Sequence, residues 1–154
     1  MNEQYTTLMK DLAAVFNVPS DFFLDSPCVI GNERLNIVME YNTASTHDDL
    51  CLYSTLGTMT DAHELALCRL LLDANYLWDA TEGGTLGVDS HTGNIILAYR
   101  LPLDMLDGAT LAELLEAFEE TALAWSGLIA AIQETPAEEP LDPRLTGLAG
   151  GIRA

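Results

Sequence analysis

The segment "HELALCRLLLDANYLWDA", His63 to Ala80, decides how the rest of the chain is read. At ~100° per residue, the helical step, Leu67, Leu70, Leu71, Ala74, Leu77 and Trp78 gather on one side, and Leu65, Cys68, Leu72 and Tyr76 on nearly the opposite side. Arg69 and Asp73 line one border and Glu64 and Asn75 the other, so polar residues form seams where a surface helix carries a broad polar face. A helix with two apolar faces buries one on its own chain. The other needs a second partner.

Length and composition narrow the choice of that partner. A chain of 154 residues, 49% of them hydrophobic, suffices for one domain with a substantial core. Six Lys and Arg stand against 24 Asp and Glu, for a formal charge of −18. Such a surface repels phosphate backbones and anionic lipid heads, which argues against nucleic acid and membrane surfaces; it serves solubility or draws in a basic partner. No run reaches the roughly 18 uncharged apolar residues of a membrane span. The opening "MNEQYTTLMKDLAAVF" has no cationic start, and Lys10 and Asp11 interrupt the place where a signal peptide keeps its apolar stretch. A cytoplasmic protein is expected. Cys28, Cys51 and Cys68 are odd in number, widely spaced and set in apolar sequence, so reduced, buried thiols are expected.

Working outward, Tyr5, Leu8, Met9, Leu12, Val15 and Phe16 recur at helical spacing until Pro19 stops them. After "FFLDSP" comes a short apolar run, Cys28 to Ile30, then a turn at Gly31 and Asn32. In "RLNIVMEY" Leu35, Ile37, Met39 and Tyr41 alternate with Asn36, Val38 and Glu40, and "LCLYSTL" alternates again from Leu50 to Leu56, so an antiparallel meander is predicted. The central helix is expected to start near Thr60 or Asp61, with Asp61 and Glu64 at capping-box spacing, and to end before "ATEGGTLG". Strands around Leu86 and from Ile95 to Leu101 flank the turn-forming "DSHTGN" as a hairpin. The last helix opens on a Thr110 and Glu113 capping box. It carries Leu111, Leu114, Leu115, Phe118, Ala122, Trp125, Ile129 and Ile132 as its apolar stripe, with Glu113, Glu116, Glu119 and Glu120 outside it. The expected fold is α+β, an antiparallel sheet packed with helices in the order α-β-β-β-α-β-β-α, over residues 1–134. Residues 135–154, with three prolines and three glycines, read as a flexible tail; Leu141, Leu145, Leu148 and Ile152 make a docking arm the alternative.

The sequence offers little chemistry. His47, His63 and His91 fall in three separate elements without zinc-site spacing, and no cofactor or metal is expected. The acids of the last helix lie on its wet side, where carboxylates keep ordinary acidity. "EGGTLG" lacks the Lys and the Ser or Thr of a phosphate loop and precedes a strand where that motif needs a helix; it reads as a helix stop. Ser45, Ser54 and Ser90 have no nucleophile-elbow context.

In size, acidity, element order and local pattern the chain resembles the class I type III secretion chaperones, the family of the Tir chaperone. The resemblance is best from "DDLCLYSTLGTMTD" through "LCRLLLDANYLW" and "GGTLGVDSHTGNIILAYRLPLDML" to the last helix, and weaker over the first helix and strands. Its specific pieces are a helix ending in Leu72, Ala74 and Asn75, then Gly87 and Asp89 ahead of Thr92 and Gly93, then an apolar strand running into "LPL" at Leu101 to Leu103. The long Pro and Gly tail departs from the compact family pattern. The resemblance implies a bacterial, cytoplasmic homodimer that binds the N-terminal region of a secreted effector and holds it extended until the secretion apparatus, its ATPase or its sorting components, takes it. One face of the central helix then covers its own sheet and the other meets the same helix of a second copy across a two-fold axis. Leu67, Leu71, Ala74 and Trp78 are assigned to that interface, and the reverse assignment stays open.

An exposed strand edge offers unpaired backbone groups to an extended peptide, and apolar pockets nearby accept its side chains. The candidate pocket walls are Leu8, Leu12, Ile30, Ile37, Val38, Tyr53, Ile96 and Ala98, each with core packing as its competing role. Val38, Tyr53, Ile96 and Ala98 together make the second face of the sheet more apolar than open water favours. Two other classes are compatible with the sequence. One is a dimeric acidic adaptor or anti-activator that binds a folded regulatory protein. The other is a small-molecule enzyme built on scattered acids, for which no nucleophile, base and orienting group can be named together.

Overall fold

The structure, a computed structural model, describes residues 2–44 and 48–137. Helix α1 (Glu3–Val15) opens on Asn2, whose side-chain oxygen accepts from the Gln4 backbone N–H, and closes where Asn17 turns to a left-handed φ of 54°. Strands β1 (Cys28–Gly31), β2 (Asn36–Asn42) and β3 (Asp49–Thr58) form an antiparallel meander. Helix α2 (Glu64–Ala74) follows, then β4 (Thr85–Val88), β5 (Asn94–Pro102) and the long α3 (Gly108–Glu134). The predicted order of helices and strands is the observed one.

The β4–β5 hairpin joins the sheet through its second strand, giving the order β1-β2-β3-β5-β4 with β1 and β4 as edges. Period-two patterning sorts the side chains. Met39, Leu52 and Tyr99 share a row facing inward, and Val38, Tyr53 and Ala98 share the next row facing outward. Helix α3 packs along α1 and over β3 on the inner face, and α2 lies beside β4. The core fills the space between: Tyr5, Met9 and Leu12 from α1, Leu111 and Phe118 from α3, and the inward residues of the strands.

Two elements differ from the sequence reading. Helix α3 begins at Gly108 and is capped by Asp107, whose carboxylate accepts from the Thr110 backbone N–H at 2.8 Å, so the Thr110 and Glu113 box is not the start. The reason is the approach to α1: a Cβ on Gly108 would lie 2.5 Å from the Asp11 carbonyl carbon, so a glycine sits where the two helices touch. The backbone N–H of Thr110 holds the Asp107 carboxyl below its ordinary value.

The central helix stops at Ala74, short of its expected end. Asn75 exchanges two hydrogen bonds of 2.8 Å with the backbone N–H and C=O of Leu86, acting as an extra rung on β4. The chain then passes Leu77 (φ 60°) and Trp78 (φ 58°) in left-handed conformations that cost about 1–3 kcal/mol each and persist only where surroundings over-determine them. The surroundings here are explicit. Trp125 Nε1–H donates to the Ala80 carbonyl, the Tyr99 hydroxyl donates to the Thr81 carbonyl, both at 2.9 Å, and the Thr81 hydroxyl donates to the Gly84 carbonyl. A side chain at Gly84 would meet the Tyr99 ring at 2.2 Å. At its far end α3 is tied to the approach to α2, where the Thr60 N–H donates to Gln133 and His63 Nε2 lies 2.9 Å from the Thr135 carbonyl.

Of the expected buried thiols Cys28 is buried, while Cys51 and Cys68 are half-buried. Ser45, His47 and the tail from residue 138, with Leu141, Leu145, Leu148 and Ile152, lie outside the described residues.

Candidate protein-binding surfaces

The two faces of α2 are real, and their assignment is the reverse of the one made from the sequence. Leu67, Leu71 and Ala74 are buried against the chain's own core. They are not available to a second copy. Leu65, Leu72 and Tyr76, 65, 72 and 75% exposed, form the open face. Trp78 is exposed as proposed, because the left-handed step at Leu77 and Trp78 carries it off the helical path that would have placed it inward. Leu77 is exposed beside it.

The eight pocket candidates also divide. Leu8, Leu12 and Ile37 are core residues, since α1 packs along α3 with its apolar stripe buried in the shared core. Ile30 is half-buried on the inward side of β1, opposite Ile37. The other four share the outer face: Val38, Tyr53 and Ala98 stand side by side across β2, β3 and β5, and Ile96 is paired with Thr55 and Gly87. Val29 extends the first row on β1, opposite Val38, and is 61% exposed. The Tyr53 hydroxyl donates to Glu40 at 2.9 Å; burial first, and that bond second, raise the phenol above its ordinary value, so it stays protonated.

Sequence reading missed an aromatic cluster at the β1 edge. Phe16, Phe22 and Phe23 pack edge-on, with ring centroids 6.0 Å apart for Phe16 and Phe23 and 4.9 Å for Phe22 and Phe23. With Val18, Val29 and Ile30 they line an open groove of about 430 Å³. Only Phe23 of the three is buried. The signal was the adjacent pair Phe22–Phe23 in a connecting segment, where two successive rings cannot both turn into one core.

A larger hollow of 710 Å³ is lined by the charged Asp48, Asp49, Arg100 and Asp104 together with Gln4, Pro102 and Met105. Its buried Asp49 carboxylate is committed to Arg100. Among the described residues no group of His, Cys, Asp and Glu is placed to hold a metal ion, and no helix is long and apolar enough to cross a membrane.

The fold is a known one. Residues 7–126 match the model of the Tir chaperone protein (CesT) family. The chain belongs to that family. No curated protein matches it in sequence. Solved structures of similar fold include the ExsC–ExsE complex, at TM-score 0.67 and 16% identity over 90% of this chain and all of that one. The HopA1–SchA chaperone–effector complex follows at 0.64 and 20%, covering 80% of this chain and 94% of that one. The ExoT–SpcS complex from Pseudomonas aeruginosa gives 0.57 and 22%, covering 79% and 97%. At these identities the likeness concerns the fold.

Proposed function

We propose that this Tir chaperone family member is a homodimeric type III secretion chaperone. It holds the N-terminal segment of a secreted effector extended in the bacterial cytoplasm and passes it to the secretion apparatus, without enzymatic action of its own. The observation that carries this reading is the β1 edge. An edge strand presents unpaired backbone N–H and C=O groups, and here the aromatic groove of Phe16, Phe22 and Val29 lies beside it. An extended peptide satisfies the backbone groups whatever its sequence, and places alternate apolar side chains in the groove and on the outer face beside Val29, where the row continues to Val38.

The second partner that the open face of α2 requires is another copy of the chain, docked on that face. Leu65, Leu72, Tyr76, Leu77 and Trp78, five large apolar side chains close together in the chain, are all exposed, and clustered exposed apolar groups mark interaction surfaces. Domain limits follow the same reading: residues 1–134 bind, and 135–154 stand apart from that work.

The test pairs binding with mass. Effector segments captured by the wild type should be captured at least roughly tenfold more weakly by Val29→Asp and Val38→Asp, with light scattering still reporting a dimer. Equal capture by both variants refutes this surface. Limited proteolysis of the bound partner discriminates the adaptor or anti-activator reading: a chaperone client stays cleavable outside one protected extended segment, and a folded regulator does not.

A further inference from the structure

The open face of α2 carries charge as well as apolar groups. Arg69 is exposed among Leu65, Leu72 and Tyr76, and Asp73 is exposed one turn further on. Among the described residues neither has an ion-pair partner within its own chain. Arg69 is also scarce: the chain has six Lys and Arg in all against 24 acids. Two bodies of formal charge −18 repel as they approach, so a surface that brings them together gains by countering charge where they touch.

We infer that α2 pairs antiparallel with α2 of a second copy in one register, set by reciprocal ion pairs between Arg69 and the partner's Asp73. A two-fold axis repeats every contact, so Arg69 meets the partner's Asp73 and Asp73 meets the partner's Arg69. This requires the axis to cross the helix level with Leu71, midway between the two charges, which stand about 6 Å apart along the helix at 1.5 Å per residue. The same level brings the two Leu72 side chains to within about 3 Å of each other along the axis, at the centre of the contact. It also carries Leu65 toward the partner's Leu77, at the corner where the backbone turns left-handed. Registers slid by up to three residues either way set Arg69 against Leu, Ala, Asn or Tyr and leave Asp73 without an opposite charge. The charges thus select among the sliding registers that a purely apolar face would allow.

This inference rests on the homodimer reading, and the experiment separates the two. Arg69→Asp and Asp73→Arg are made singly and together, and their self-association is followed by sedimentation against the wild type and Leu72→Glu. The expected result is a wild-type dimer, broken by Leu72→Glu, with a dissociation constant raised roughly ten- to a hundredfold by either single reversal. Recovery is expected in the double variant, and also as a heterodimer when the two single variants are mixed, since each then supplies the charge the other lacks. A wild-type monomer overturns the dimer reading and the register with it. A dimer that Leu72→Glu breaks but neither reversal weakens, or one that neither the double variant nor the mixture restores, overturns the register alone.

Discussion

The two edges of the sheet expose apolar residues in opposite shapes. At β1 they line a concavity: Phe16, Phe22 and Val29 surround a groove beside a free strand edge, with no charged side chain in its lining. At β4 the edge is flanked by a convex helix, and Leu65, Leu72 and Tyr76 stand out from it around Arg69. A groove beside a strand accepts many sequences, because backbone pairing supplies the affinity and the walls ask only for apolar bulk. A convex face with placed charges accepts few. The difference teaches that exposed apolar area does not by itself say what kind of partner is expected; its curvature and its charge do.

Several substitutions break or sharpen that contrast. The largest effect is expected within α2. Leu67→Glu places a carboxylate in the core and should abolish cooperative thermal unfolding, a loss of about 4 kcal/mol or more, whereas Leu72→Glu should shift the stability of the folded chain by less than about 0.5 kcal/mol while dispersing the dimer. A normal melt for Leu67→Glu would return the inner face to the surface. Next comes Phe23→Ala, which removes the ring joining Phe16 to Phe22 and should cost about 3 kcal/mol in chemical denaturation along with client capture, leaving α2 self-association untouched. Trp125→Phe keeps an aromatic ring but removes the donor to Ala80 and part of the indole's bulk, and should cost about 1–3 kcal/mol with faster amide exchange concentrated at residues 76–84. The smallest effect is at Asp107. Because its carboxyl is held below the ordinary 3.8, its cap contribution is complete above that value and is lost as pH falls through the lowered one. Asp107→Asn should therefore flatten the acid limb of the stability curve below pH 3.8 and change little at pH 7.

How much of this was legible follows the physics of each signal. Strand alternation across residues 36–58 and 94–102 is set by burial on one side, so inward and outward residues were readable without coordinates. The faces of α2 were readable too, but not their order. Arg69 lies about 40° from Leu65 on the helical wheel, and Tyr76 about 20° from it, so the charge sits within the outer face more than on its seam. That was the available clue, and counting apolar residues alone concealed it. The break after Ala74 could not be read, since it depends on Asn75 reaching Leu86 and Trp125 reaching Ala80. The cap at Asp107 was readable in kind, since Asp is a favoured N-cap residue, but Thr110 and Glu113 offered a competing box. The groove at Phe16 and Phe22 was hidden for the same reason as the break: residues from a helix end, a connecting segment and an edge strand share it only once the chain has folded.

Helix α3 gives the molecule a fixed gauge. Leu115, in its first half, lies beside Phe16, Ile30 and Ile37, and Trp125 and Gln133, in its second, hold the turn and the approach to α2. Twenty-seven residues at 1.5 Å each make a continuous rod about 40 Å long, with no proline to bend it. The two edges are therefore mounted on one beam without a hinge between them, and the reach from one to the other is a length written in the number of its turns.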